Sequence, residues 1–465
     1  MSPGWGCARL LVAVAVLGAL TAVAEARGRG RRPAAGAELT AADLRWPATT
    51  RSATVRTASK VYAQPGGKGR RVGKLARGTR VAWTRIVASR DRCHAWLAIE
   101  PHGWACARDL APSADPPAAT LEPGRIVTET EAKELLGVVP AGAHAFASVR
   151  AIRRGRPART LRGWTMVREP GARIVVGDVA YRETEHGLVA EAAIELRRPS
   201  TFTGVDLRAP PPGWPFAWVT PRRRDAVVSV RAAPDARARE LRVLVRRELV
   251  PVLERQGGFA RIGAGEWVGL DELRVAAPSP RPDGIAADER WLDVDLDQQV
   301  LVAYEGDVPV YATLVSTGKG RSTPTGIHRI EKKLARTRLK APDVSLGEWD
   351  LPDVPFSMRF RKYYAVHGVY WHDSFGKPRS QGCVNLSPRD ARFVFEWSHP
   401  QVPAGWLDAK DTRRGTPIRL RNRRDPDPGW VDYDTDPPPS VRLRAPAAAA
   451  TGADGADSGD GDGDD

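Results

Sequence analysis

The sequence predicts a mainly β protein, with small β-barrel modules in tandem ahead of a larger β-rich domain that carries one short helix. Three observations predict it. The chain contains 44 Gly, 39 Pro and 15 Trp, a composition of short strands and turns rather than long helices. Short apolar runs of period two alternate with Gly, Pro and charged turns over most of the length. A chain of 465 residues also has room for several domains, each burying its own core.

The N-terminus comes first. Arg9 precedes an apolar run from Leu10 to Val23, and Ala22-Val23-Ala24 offers a small-residue cleavage site before Glu25, so residues 1–24 are expected to be a secretory signal peptide. The other reading is an uncleaved anchor, but the run is shorter than the ~20 apolar residues a spanning helix needs. Export to the periplasm or cell wall is the expectation, without stable membrane insertion. Residues 25–50 are basic and Ala-rich, as a flexible spacer would be. The net charge of +16 raises a nucleic-acid partner. Export argues against one, and so does the spread of arginines, which run locally at Arg27 to Arg32 and Arg222 to Arg224 without interleaved aromatics. Attraction to anionic envelope polymers and a plain coding bias toward Arg both remain open.

Residues 51–112 read as the first β-module, with strands over Lys60 to Ala63, Arg71 to Leu75, Thr79 to Arg85 and Ala95 to Ile99, closing on Gly103-Trp104-Ala105-Cys106-Ala107-Arg108-Asp109-Leu110. A second, less marked module is expected within 140–200, where Val179 to Arg182 and Gly187 to Ala190 read as strands around a turn. A third is expected over 225–277, and its closing Glu266-Trp267-Val268-Gly269-Leu270-Asp271-Glu272-Leu273 repeats the ending of the first. Their ligands are not legible, and plain spacers are the alternative. Linkers rich in Pro separate them at Pro112 to Pro123, Pro199 to Pro215 and Pro278 to Ala287. Residues 424–465 lose apolar periodicity and end in Gly, Ala and Asp, an acidic tail expected to be disordered.

Cysteine usage fits export. If Cys7 leaves with the signal, Cys93, Cys106 and Cys383 remain. Cys93 and Cys106 share one β-rich segment and are expected to pair, the alternative being two separate buried thiols, which leaves Cys383 free. No cluster has zinc-ligand spacing, so no metal is expected; no cofactor is expected either.

The last domain, 288–422, opens with Trp291 to Leu296, followed by a hairpin of Gln299 to Tyr304 and Val308 to Ser316 around Glu305-Gly306-Asp307. Its chemistry lies in Val366-His367-Gly368-Val369-Tyr370-Trp371-His372-Asp373 and in Ser380-Gln381-Gly382-Cys383-Val384-Asn385. A cysteine thiol, with a reference pKa of about 8.5, is mostly protonated at neutral pH, so a nearby imidazole is needed to activate it. His367 and His372 are the candidates. After Asn385, Ser387 reads as an N-cap with Pro388 at the first helical position and Asp390 three residues after the cap. Cys383 is therefore expected just before a helix, at a point where backbone N–H groups can stabilise developing negative charge.

These residues resemble the signature of the YkuD-type L,D-transpeptidases, cysteine enzymes that cross-link peptidoglycan: His-Gly, a spacer, then Ser/Thr-His-Gly-Cys-Val/Ile-Asn/Arg. Upstream, Trp291 to Gly318 and Thr323 to His328 resemble the opening strands of that family. The chain departs from the pattern at Gln381, where a second histidine is usual. The resemblance implies Cys383 as nucleophile, His367 as general base oriented by the Gly368 carbonyl, and N–H groups around Gln381, Gly382 and Cys383 as the oxyanion site. It further implies peptidoglycan stem peptides as substrate. Ser380, Tyr370 and Trp371 are candidate groove residues and Asn385 a brace of the loop; core packing is the alternative for the two aromatics. The closing Gly-Trp and Asp-Leu of the first module resemble bacterial Src-homology-three-like domains. A wall-binding scaffold with a decayed site, and an L,D-carboxypeptidase in which water replaces the acceptor amine, are the competing functions. The acceptor's identity and the oligomeric state are not legible.

Overall fold

The computed structural model describes residues 33–120, 136–140, 142–161, 164–167, 171–197, 199–209, 213–340 and 349–431. The expected signal peptide and most of the expected acidic tail lie outside these residues. What is described is mainly β, as expected, with one helix of three turns at Pro388–Trp397.

The C-terminal domain is two sheets around one core. The first runs in the order Val205–Asp206, Val308–Leu314, Val300–Glu305, Arg290–Asp295, Pro417–Arg421 and Gly326–Arg329. The expected hairpin is there, its strands paired from Val300↔Leu314 to Glu305↔Val308. The second sheet is built on the long strands Lys332–Lys340 and Trp349–Arg361, joined by Tyr364–Gly368 and Val384–Leu386. Leu292, Val294, Leu301 and Ala303 from the first sheet meet Phe356, Met358, Val366, Val384 and Leu386 from the second in one buried cluster. The helix closes this core with Ala391, Val394 and Phe395. It starts as the sequence predicts: the Ser387 side chain accepts from Asp390 N–H at 3.1 Å, with Pro388 in the first turn.

Two buried polar groups fix that helix. The Asp390 carboxylate accepts from Tyr311 O–H at 2.6 Å, Thr313 O–H at 2.5 Å and Gly204 N–H at 2.8 Å. At the other end Lys333 Nζ, fully buried, donates to the carbonyls of Phe395 and Ser398, a positive charge placed where the helix dipole is negative. Burial pushes the Lys333 ammonium down to about 7.

All three expected modules are β-rich, but among the described residues no strand ladder closes into a barrel. In the first, the three-stranded sheet Arg80–Val81, Ser52–Val55, Leu110–Ser113 faces strands of the larger sheet across a core of Val55, Val61, Leu75, Leu97 and Leu110. Cys93 and Cys106 form a disulfide. Part of the segment expected to be a spacer is structured: Glu38–Leu39 pairs with Trp83–Ala88. The third module also begins earlier than its apolar pattern shows, since Phe216–Val219 pairs with both Leu249–Pro251 and Leu273–Ala276.

The two segments whose sequence endings match share a secondary-structure pattern that the second module also shows, without their Trp and Asp. A strand, a single 3-10 turn and a second strand follow each other at Trp104–Cys106, Ala107–Asp109 and Leu110–Ser113; at Gly187–Ala190, Glu191–Ala193 and Glu195–Arg197; and at Glu266–Gly269, Leu270–Glu272 and Leu273–Ala276.

The first module continues the second sheet of the C-terminal domain. Trp406–Lys410 pairs on one side with Lys332–Leu334 and on the other with Gly73–Leu75. Trp406 is buried in the module's core, and a Cβ on Gly73 would lie 2.2 Å from its ring, so only glycine admits this approach.

Candidate active site

The strand Tyr364–Gly368 and the strand Val384–Leu386 lie side by side in parallel, with Val366 opposite Val384 and His367 opposite Asn385. This register puts Cys383 just before one strand and His367 next to the end of the other. The loop 369–383 joins them, and the pairing of the two strands brings the two motifs, separated in sequence, side by side.

A third segment runs along the nucleophile loop. Ser316 and Asn385 exchange N–H···O bonds at 3.0 and 2.9 Å, and the N–H groups of Arg379 and Ser380 both donate to Thr317 O at 2.8 and 2.9 Å. Thr317 is itself set by Gln299, whose Nε2 donates to Thr317 Oγ1 at 2.6 Å and whose Oε1 accepts from Thr317 N–H at 2.8 Å. Gly382 has φ +145°, and a Cβ there would meet Tyr364 Cε1 at 2.5 Å and Ser322 O at 3.1 Å. Glycine is required both by conformation and by space.

His367 is buried, and its Nδ1 lies 3.0 Å from Gly368 O. Nδ1–H therefore donates to that carbonyl and leaves the lone pair on Nε2. Burial pushes the His367 pKa down to about 4, only partly offset by the Gly368 carbonyl, so the ring is neutral at pH 7. Cys383 is partly exposed; its thiol donates to Tyr363 O at 3.8 Å. Burial around the sulfur raises its pKa, against the opposing pull of the Ala365 backbone and the Arg359 charge. Among the described residues no hydrogen bond joins Cys383 to His367. The sulfur must turn from Tyr363 toward the ring for a proton to pass, and looser geometry of this kind is common in unliganded sites.

His372, the other candidate base, has both ring nitrogens committed. Ser374 N–H donates to Nδ1 at 3.2 Å, and the Asn385 carboxamide lies 3.0 Å from Nε2. Burial, with Arg379 and His367 adding to it, lowers its pKa to about 3. Asn385 is thus held from the loop by His372 and from the neighbouring segment by Ser316.

Ser380 is a loop brace in this structure: its hydroxyl donates to Cys383 O at 2.5 Å and accepts from Gly382 N–H at 3.0 Å. One of the three expected oxyanion donors is therefore already in use. Tyr370 is buried beside Val138, Leu351 and Val354, a packing position, whereas Trp371 is partly buried with its ring 6.0 Å from that of His367. Gln381 is exposed at the loop's crest. Sequence reasoning missed Tyr363, Ala365, Arg359 and Gln299, whose roles run through backbone atoms or long-range contacts that leave no local pattern. Among the described residues no cluster of His, Cys, Asp and Glu is suited to a metal ion, and no helix is long and apolar enough to cross a membrane.

A cysteine just before a strand, a neutral imidazole on the adjacent strand and a glycine-bent loop between them define a cysteine site on a β-scaffold. Residues 289–420 match the YkuD family model, described as the L,D-transpeptidase catalytic domain. Solved structures show similarity to part of the chain. A crystal structure of an Enterococcus faecium L,D-transpeptidase matches at 21% identity, covering 30% of this chain and 50% of that one, with a TM-score of 0.23. An L,D-transpeptidase of Xylanimonas cellulosilytica matches at 25% identity, covering 30% of this chain and 64% of that one (TM-score 0.21). One from Mycobacterium smegmatis matches at 18% identity, covering 37% and 82% (TM-score 0.23). This chain thus spans only half the length of the E. faecium protein. No curated protein matches the chain.

Proposed function

We propose that the protein is a peptidoglycan L,D-transpeptidase acting outside the inner membrane, with Cys383 as nucleophile and His367 as general base. The observation that carries the reading is the parallel register that brings the buried, neutral His367 alongside the strand leading from Cys383. In the first step Cys383 Sγ attacks the carbonyl of a stem-peptide bond between meso-diaminopimelate and a terminal D-alanine, its proton passing to His367 Nε2. The tetrahedral intermediate then expels D-alanine, whose amine takes that proton, and a thioester remains on Cys383. In the second step an amine of another stem attacks the thioester, loses its proton to His367 and regenerates the thiol.

The oxyanion of each step is assigned to N–H groups of the loop Gln381-Gly382-Cys383. Gly382 N–H must leave Ser380 Oγ to serve. A charged acceptor is favoured in that exchange, because charge-assisted hydrogen bonds are roughly twice as strong as neutral ones. Trp371, beside the His367 ring, is assigned to the donor groove, and Asn385 braces the nucleophile strand. We read the three N-terminal modules as Src-homology-three-like wall-binding units, supported by the secondary-structure pattern that all three share. Incubation of the exported chain with diaminopimelate-containing muropeptides, followed by mass spectrometry, tests the reading: cross-linked dimers support transfer, and shortened stems without dimers mean hydrolysis.

A further inference from the structure

The far side of the active-site loop is covered by the third module, and one carboxylate gathers the contact. Asp373 Oδ2 accepts from Arg246 Nη1 at 3.0 Å and from Arg224 Nη2 at 3.4 Å, while Oδ1 accepts from Arg247 Nη2 and Ser200 Oγ. Both Arg246 and Arg247 also donate to the Asp373 backbone carbonyl. Arg246 and Arg247 occupy the turn between the strands Glu240–Leu244 and Leu249–Pro251, and Arg247 has φ +69°. Two further contacts extend the clamp: Arg274 Nε donates to Gly376 O at 2.7 Å, and Lys377 Nζ to Arg222 O. A carboxylate and a carbonyl bound at once by planar guanidinium groups are fixed in orientation as well as in charge.

The other side of the same loop faces the site. His372 immediately precedes Asp373, and Ser374 N–H donates to its Nδ1. A neutral ring with Nδ1 occupied as acceptor carries its proton on Nε2, and among the described residues that proton meets the Asn385 carboxamide. As placed, Asn385 Nδ2 faces Nε2 while Oδ1 is buried without a partner; turning the amide end for end presents Oδ1 to Nε2–H and pairs these two groups. Asn385 lies two residues after Cys383, opposite His367. The sheet of the module joins in, packing Phe216 and Trp218 in one cluster with Val369 and Phe375 of the loop.

We propose that the third module is part of the active-site assembly: Arg246 and Arg247, acting through Asp373, are positioning residues that hold the loop from which His372 grips Asn385 beside the nucleophile. Neither arginine touches substrate. The proposal gives the module a task besides wall binding, and it rests on the reading of Cys383 as an acyl-transfer nucleophile.

Its test uses the full chain with Arg246→Met/Arg247→Met, Asp373→Asn and the conservative Arg247→Lys. Two readouts are taken on folded protein: the maximal rate of Cys383 acylation by a carbapenem, followed by mass spectrometry, and the 15N shifts of the His372 ring. In the wild type the ring shows a single tautomer protonated at Nε2. The charge-removing variants mix tautomers and acylate on the order of 100-fold more slowly, the cost of about 1 Å of misplacement, with half-saturation little changed and partial recovery in Arg247→Lys. Folded variants that keep the wild-type His372 shifts, or that acylate within about two-fold of wild type, overturn the proposal. If the wild type itself is not acylated while its His372 shifts respond to the variants as stated, the clamp stands and the acyl-transfer reading fails.

Discussion

Thr323 Oγ1 donates to the carbonyl of Gly382 at 2.9 Å while accepting from Gly318 N–H at 2.8 Å, so one hydroxyl ties the nucleophile loop to the turn after the hairpin. The approach is close enough that a Cβ on Gly318 would lie 2.9 Å from Gly382 Cα. The loop is thus shaped from outside by a neighbour more than fifty residues upstream, and its own glycine makes that shape accessible.

Gly382→Ala should therefore distort the loop in place. The positive φ and the 2.5 Å approach to Tyr364 Cε1 predict about 1–3 kcal/mol of strain, relieved by displacing Cys383. Acylation should fall by at least about tenfold while the denaturation midpoint moves only slightly. Wild-type acylation by this variant would mean that the backbone at Gly382 does not set the thiol's position.

Removal of the helix anchor should cost global stability. Asp390→Asn places an NH2 or a single oxygen where three donors converge from Tyr311, Thr313 and Gly204, leaving at least one buried donor unpaired at about 1–3 kcal/mol. Denaturant unfolding at neutral pH measures the loss. A change below about 0.5 kcal/mol would mean that the network carries no net energy.

Acid should destabilise the fold through its buried imidazoles. His367 and His328 have folded-state pKa values near 4 and His372 near 3, all below the ordinary 6.5. Above pH 6.5 both folded and unfolded rings are neutral and contribute nothing. Below it the unfolded chain takes up protons that the folded chain refuses, so stability falls as pH drops from about 6.5 toward 4, by up to about 1.4 kcal/mol per pH unit for each ring. His372→Gln should flatten this slope; a slope unchanged in that variant would assign the acid sensitivity elsewhere.

At the junction with the first module, Gly73→Ala should loosen docking. Its Cβ would lie 2.2 Å from the Trp406 ring and 2.7 Å from Asp408 O, an overpacking cost of about 1–3 kcal/mol. Faster proteolysis near residues 73–78 and 404–406 is expected, with the C-terminal domain still folded. Unchanged proteolysis would show that the junction relaxes around the added methyl.

Much of this was legible in sequence because it is written locally. The hairpin around Gly306 follows from period-two runs flanking a turn, and the helix from Ser387, Pro388 and Asp390 in series. The first module's strands also fell close to their apolar runs. What was not legible depends on partners distant in the chain. Asp373 reads as one more polar loop residue until Arg246 and Arg247, over 120 positions upstream, are brought against it. Lys333 sits in a basic strand and gives no sign of being buried under the helix end. Glu38–Leu39 is too short and too close to a basic stretch to announce a strand, and only the free edge of Trp83–Ala88 makes it one. Whether the modules close was not legible either: strand count and turns suggest curvature but do not fix which edges meet, and among the described residues no ladder closes.

The most direct test of the central claim is intact-mass analysis of the wild-type chain and of Cys383→Ala after incubation with a diaminopimelate-containing tetrapeptide stem and a second stem as amine acceptor. The wild type is expected to carry a thioester adduct at Cys383, release D-alanine and form a cross-linked dimer, all absent from Cys383→Ala although that variant folds normally. Adduct and dimer formation by Cys383→Ala would place the nucleophile elsewhere and contradict the account.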